Sequence, residues 1–328
     1  MEKRKRVLLR ADGNSKIGLG HITRSIVLGT ILKEDFECIL CTRFVSAHVR
    51  SVAAENDIAL IKLSEGDDHY VQFSGFVDFE DIVVLDNYYF NTEYQKKLKE
   101  KGCQLVCIDD LHAQLFVSDI VINHSPSVTV SDYLVHNRTN LLLGLDYVLL
   151  RKPFLKPEYR KTNNQTDNIL ICFGGSDYYN LSLKTAKEVL EVNQNIRLTI
   201  VIGSSYAYKS ELHSFVYKKS NISVLENIDE NGMIKHISNA SMAIVPCSTI
   251  LFEVIALKTP FITGYYADNQ KEISDYFERQ GDVVKGDFRL TKITVGDFDM
   301  ALSKKSNFSY IDGQSHDRLL NAFRNITN

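Results

Sequence analysis

The chain has 328 residues, 44% hydrophobic and 24% charged, enough to bury substantial cores and long enough to predict two domains. Its net charge of -3 gives no electrostatic case for nucleic acid. The basic start Met1–Arg6 leads only into the apolar run Val7–Leu9 before Arg10 and Asp12 intervene, so neither a secretory signal nor stable membrane insertion is expected, and the cytoplasm is the expected location.

In chain order, short apolar runs alternate with helical patterns through the first half: Val7–Arg10, Cys38–Thr42, Ile58–Leu63, Ile82–Asp86, Leu105–Asp109 and Ile120–Asn123. Thr92–Lys101 between two of them is amphipathic and runs into Gly102, as a helix end does. That alternation predicts a parallel sheet flanked by helices. Near residue 150 the texture turns polar, with Pro153 and Pro157 in a stretch that ends at Asp167, the best linker candidate. A second series follows: Ile169–Phe173, Leu198–Ile202, Ile222–Leu225, Met242–Val245 and Phe261–Gly264. The expected fold class is therefore α/β, with two Rossmann-like, doubly wound domains, 1–152 and 153–328, facing a cleft where ligand lies at the strand ends. The tail Ser315–Asn328, apolar at Leu319, Leu320 and Phe323, is expected to pack back across that cleft.

Six cysteines are expected to be reduced. Cys38 and Cys41 have Cys-x-x-Cys spacing but lie inside a strand-like run, and no second pair has metal spacing; core packing is the expected role. Asp297-Phe-Asp299 reads as a helix start rather than a metal motif, and no cofactor is expected.

The stretch most able to carry chemistry is Arg10–Arg24, a turn between the first strand and a helix, with Arg10 and Asp12 expected among the substrate-binding residues. Gly18 and Gly20 let the backbone take φ > 0 and let a ligand approach. His21 falls in the first helical turn, whose positive end disfavours imidazolium, so a neutral general base is one reading and a polar helix-start residue the other. Thr23 stands where the third glycine of a dinucleotide fingerprint would fall. In the second half, Gly174 and Gly175, followed by Ser176 and Asp177, form a candidate phosphate cradle or an ordinary tight turn. Ser248 and Thr249 open a helix where a diphosphate gains amide hydrogen bonds, and Glu253 is placed for a ribose diol; the alternative is a capping box without ligand. Asn269 and Gln270 end another strand and suit sugar hydroxyls or amides, while the stretch Val224–Lys235 offers backbone to a base edge, with Asn231 and Met233 starting a helix.

As an ordered set, Arg10-Ala-Asp12, Ile17–Arg24, Leu85-Asp-Asn-Tyr88, Ile108-Asp-Asp110, Leu143–Arg151, Phe173–Asp177, Ser248–Glu253 and Asn269-Gln270 span nearly the whole chain. On these motifs the chain resembles the UDP-2,4-diacetamido-2,4,6-trideoxy-β-L-altropyranose hydrolases of pseudaminic acid biosynthesis and related spore-coat polysaccharide proteins. These are in turn similar to the glycosyltransferase that makes lipid II from lipid I, which has a GT-B fold. The resemblance implies inverting hydrolysis that releases UDP, with His21 as general base, Tyr88 and Asn269 as sugar-binding residues, and other enzymes of the sugar pathway as partners. Asn87 departs from the family's usual Asp-His-Tyr; the alternatives are that Tyr88 is a strand-end aromatic and that Asp109-Asp110 caps a loop. No carboxylate pair suits a glycosidase. The competing activity is transfer from a UDP-sugar donor to an acceptor hydroxyl, although few amphipathic or basic features mark a membrane acceptor site. A non-catalytic nucleotide-sugar binder is the reading from a different class.

Overall fold

The computed structural model of the chain describes residues 4–14, 18–159, 168–303 and 310–326. Ser15–Ile17 of the glycine turn and residues 160–167 of the linker candidate lie outside the described residues. The chain divides into two compact units, 1–149 with 314–328, and 150–313.

The first unit begins β1 (Arg6–Ala11), α1 (Gly20–Leu32), β2 (Glu37–Thr42), α2 (Ala47–Glu55), β3 (Ala59–Lys62), α3 (His69–Phe76), β4 (Ile82–Asp86), α4 (Thr92–Lys99) and β5 (Gln104–Ile108). It continues through the two-residue β6 (Leu115–Phe116), β7 (Ile120–Asn123), the two-residue β8 (Leu134–Val135) and β9 (Asn140–Leu143). Seven strands form one sheet in the order β3-β2-β1-β4-β5-β7-β9, every pair parallel; β6 and β8 pair separately. Strand residues alternate between faces, and both faces are buried. Val7, Leu9, Val84 and Val106 join one apolar cluster with α1, whereas Leu8, Val83, Leu85 and Leu105 join another with Phe73 and Leu98.

The second unit holds β10 (Asn168–Cys172), α5 (Leu181–Val192), β11 (Arg197–Ile202), α6 (Lys209–Val216), β12 (Ile222–Glu226), α7 (Glu230–Asn239), β13 (Met242–Ile244) and α8 (Thr249–Ala256). β14 (Phe261–Tyr265), α9 (Lys271–Arg279), β15 (Val283–Asp287) and α10 (Val295–Ser303) complete it. Its sheet runs β12-β11-β10-β13-β14-β15, again all parallel. The last helix, α11 (Ser315–Asn325), belongs to the first unit, where Leu319 and Phe323 are fully buried in the α1 cluster.

In both sheets the strand order reverses beside the first strand, between β1 and β4 and between β10 and β13. At such a reversal successive connections leave in opposite directions and open a crevice at the carboxyl ends of the strands. The loops after β1, β4, β10 and β13 are therefore the ones the topology exposes to ligand. Smaller expectations also resolve. All six cysteines are free and buried, and burial pushes the Cys38 and Cys41 thiols up to about 12, so they pack the core. Asp297 accepts from the Thr294 amide at 2.7 Å and from Lys285 at 2.7 Å, which ties the start of α10. No helix of the described residues is long and apolar enough to cross a membrane.

Candidate active site

Parallel pairing puts Ala11 of β1 opposite Asp86 of β4, so the glycine turn after β1 and the loop after β4 are neighbours. Gly18 has φ +84, a conformation that an L side chain resists. Gly20 then opens α1, whose N-terminal amides receive no side-chain cap. His21, Arg24 and Ser25 fall three and four residues apart, hence on one helical face, and all three meet the Asp86 carboxylate. His21 Nδ1 lies 2.7 Å from Asp86 Oδ1; Arg24 donates from Nε at 2.7 Å and Nη2 at 2.5 Å, and Ser25 Oγ at 3.3 Å. The short Nδ1 contact assigns the ring proton to Nδ1 and leaves Nε2 as the acceptor, the tautomer a base requires. Arg24 Nη2 also lies 3.1 Å from Nδ1, a longer contact than its 2.5 Å bond to Asp86 Oδ1; the ionised carboxylate can only accept, which keeps the ring proton on Nδ1.

Arg24 reaches a second carboxylate, donating from Nη1 to Asp110 Oδ1 at 2.6 Å. Burial would raise both acids, yet Arg24 outweighs it: Asp86 lies below the ordinary carboxylate range and Asp110 falls to about 2. His124, beyond β7, is pushed down to about 4 by burial and then by Arg24, so it stays neutral. Two carboxylates thus face one guanidinium. Tyr88 completes the group. Its hydroxyl donates to Asp110 Oδ2 at 3.0 Å and its half-exposed ring stands edge-on to His21, 4.8 Å between centroids.

Arg10 and Asp12, expected among the substrate-binding residues, are corrected by this geometry: both are 0% exposed. Arg10 holds Asp12 by a fork of 2.8 and 3.0 Å. The same carboxylate accepts from Thr42 Oγ1, the Arg43 amide, Arg43 Nε and the Tyr89 hydroxyl. Asp12 donates its own amide to Asn87 Oδ1 at 2.6 Å. A side chain with no accessible surface cannot meet a ligand, so this pair fastens the ends of β1, β2 and β4 together. His69 beside Arg10 is pushed to about 4 by burial and by the Arg10 and Arg43 charges.

In the second unit Gly174, Gly175 and Ser176 follow β10 exposed, with Gly174 at φ +85. Asp177 instead turns inward and accepts from the Leu181 and Ser182 amides at 2.7 Å each, which ties the start of α5. Gly203, after β11, packs onto this loop so closely that a Cβ there would lie 2.4 Å from Gly175 O. Ser248 and Thr249 are half-buried at the start of α8, and Ser248 makes no side-chain cap. Glu253 is buried, and its Oε1 accepts from Arg151 Nη2 at 2.6 Å, with Glu230 3.5 Å from Arg151 Nε. Burial raises the Glu253 carboxyl against the pull of Arg151. Asn269 is exposed in a short turn. Gln270 is buried, and its Oε1 accepts from the Tyr266 amide at 3.1 Å, which closes its own loop.

The partners of His21 were the main residues beyond sequence reasoning. Arg24 carried a detectable signal, three residues beyond His21 on the helix, but Asp86 and Asp110 come from other strands. Arg151 stood inside a noted motif without a role.

No protein-family model matches the chain. It is 26% identical over 284 residues to a UDP-2,4-diacetamido-2,4,6-trideoxy-β-L-altropyranose hydrolase of Campylobacter jejuni, covering 84% of this chain and 97% of that one. It is 24% identical over 283 residues to a Helicobacter pylori protein named pseudaminic acid cytidylyltransferase and UDP-2,4-diacetamido-2,4,6-trideoxy-β-L-altropyranose hydrolase, covering 85% of this chain and 48% of that one. An uncharacterised Methanocaldococcus jannaschii protein is 26% identical over 82% of this chain and 57% of its own length, so the chain spans about half the length of two of these relatives. Among solved structures, MurG of Acinetobacter baumannii superposes with a TM-score of 0.60 at 12% identity over 99% of this chain and 98% of its own. HepE of Anabaena, in complex with UDP and glucose, gives 0.62 at 10% identity over 98% of each chain. The chain therefore has the GT-B fold, and two of these relatives carry the name of the UDP-sugar hydrolases that its motifs resemble.

Proposed function

We propose that the chain is a cytoplasmic nucleotide-sugar hydrolase that releases UDP from a UDP-linked diacetamido-trideoxy hexose with inversion at C1, in nonulosonic acid or surface polysaccharide biosynthesis. The observation that carries this reading is His21, held at Nδ1 by Asp86 and left with a basic Nε2 at a helix start beside Tyr88. Water gives a proton to Nε2 as its oxygen bonds to C1, the C1–O bond breaks, and its electron pair leaves with UDP. Asp86 and the surplus carboxylate Asp110 stabilise the imidazolium that forms, as the buried carboxylate does in a triad. A diphosphate leaves without strong acid assistance, and amides of the Gly174–Ser176 loop and of Ser248 and Thr249 stabilise its charge. Glu253, oriented by Arg151, accepts from the ribose diol, and Asn269 contacts the sugar.

Incubating the protein with the UDP-diacetamido sugar in 18O-water, without acceptor, tests the reading. Release of UDP with 18O in the sugar and the inverted anomer formed first supports it. UDP release only after an acceptor is added would assign the glycosyltransferase activity instead, and 18O in UDP would place cleavage at phosphorus and reject the mechanism.

A further inference from the structure

Between the ends of β4 and β5 the first unit contains a pocket of about 180 Å³ that none of the residues assigned above explains. That is smaller than the roughly 300–1,000 Å³ of a site for a whole drug-sized ligand, and it suits one substituent of a larger molecule. Leu85, Cys107 and Phe116, all buried, supply its apolar wall. Tyr88 lines it as well and stands edge-on to His21, so the pocket adjoins the proposed base.

Three polar residues lining it, Asn87, Asp109 and Gln114, have one hydrogen-bonding half committed and one open; Gln114 Nε2 donates to Phe90 O at 3.1 Å, whereas its Oε1 carries no bond among the described residues. Asn87 Oδ1 accepts from the Asp12 amide and the Tyr89 hydroxyl, whereas among the described residues Nδ2 carries no bond. Asp109 Oδ2 accepts from the Leu111 and His112 amides and from the Tyr133 hydroxyl, whereas Oδ1 carries none among the described residues. The pocket therefore offers a donor on Asn87, acceptors on Asp109 and Gln114, and an apolar wall. A carboxylate or phosphate would be repelled by Asp109, and a bare hydroxyl would leave the wall unfilled. A neutral secondary amide ending in a methyl group matches the donor, an acceptor and the wall.

We propose that this pocket takes an acylamino substituent of the sugar, with the carbonyl accepting from Asn87 Nδ2, the N–H donating to Asp109 Oδ1, and the methyl against Leu85, Cys107 and Phe116. The proposal rests on the hydrolase reading and deepens it. It also gives a role to Asn87, the position at which this chain departs from its family's motif.

Two variants test it. Asn87→Asp keeps the acceptor for the Asp12 amide but removes the donor, and Ala113→Leu, at an exposed lining position, fills the pocket from its rim. Each should raise KM for the UDP-diacetamido sugar by on the order of tenfold while UDP itself, which carries no acyl group, inhibits as before. Unchanged KM in both variants, or a parallel loss of UDP affinity, overturns the proposal. Saturation-transfer NMR with the free diacetamido sugar reads the pocket without turnover. The acetamido methyls should saturate more strongly than the ring protons, and Ala113→Leu should abolish the difference. Methyls no stronger than ring protons overturn the pocket even where hydrolysis holds; methyl contact without any UDP release overturns the hydrolase reading and leaves the pocket standing.

Discussion

Replacing Asp86 by asparagine removes one charge at nearly constant shape from the centre of the His21 group. In the wild type the carboxylate lies 2.7 Å from His21 Nδ1 and is fully buried. The charge centres of such a pair are about 4 Å apart, and at an effective dielectric constant near 20 their attraction is about 4 kcal/mol. That attraction exists only when His21 is positive, so its loss falls on the transition state. At about 1.4 kcal/mol per decade, turnover drops on the order of a thousandfold. The amide adds a second fault. Arg24 demands the asparagine oxygen, which turns the NH2 toward Nδ1 and forces the ring proton onto Nε2, where water must be deprotonated. Arg24 keeps Asp110 at 2.6 Å, which limits the loss of stability. Steady-state UDP release, with UDP affinity by calorimetry and circular dichroism for fold, is the assay. A folded Asp86→Asn protein turning over within tenfold of wild type would refute the reasoning.

Gly203→Ala brings a methyl against Gly175 backbone, which must shift; UDP affinity measured by calorimetry should fall at least tenfold if that loop cradles the diphosphate, and unchanged affinity would return it to an ordinary turn. Glu253→Ala should weaken UDP more than 2′,3′-dideoxy-UDP, and Arg151→Ala should erase part of that preference, because Arg151 orients the carboxylate; equal losses for both ligands would leave Glu253 a structural residue. Stability should depend on pH through His69 and His124, whose folded values of about 4 lie below the ordinary 6.5. Between those values the unfolded chain binds protons that the folded one refuses, so stability rises with pH across the window. His69→Gln should lower the slope of a denaturation series taken from pH 4 to 6.5, and an unaltered slope would contradict the assignment. Asp110 acts in a lower window: its depressed value makes stability fall as the pH drops from about 4 toward 2.

The fold was legible because continuous apolar runs such as Ile82–Asp86 and Ile169–Phe173 are what strands buried on both faces require, and glycines mark their ends. β15 escaped because Lys285 and Gly286 interrupt its apolar run, and β9 because its leucines merge with the run that continues to Leu150. His21 could be found from its place at a helix start, which is local. Asp86 and Asp110 could not be joined to it, since 65 and 89 residues of chain separate groups that only the parallel register brings together. Arg10 and Asp12 misled for a physical reason: two charged residues at i and i+2 share one face of a strand, and a buried ion pair has the same sequence signature as a pair awaiting an anion.

The account turns on a basic imidazole nitrogen acting on water, and His21→Ala tests that most directly. UDP affinity should stay within about twofold while UDP release falls a hundredfold or more, the loss expected when a general base is removed. Release at the wild-type rate from a folded His21→Ala protein would contradict it.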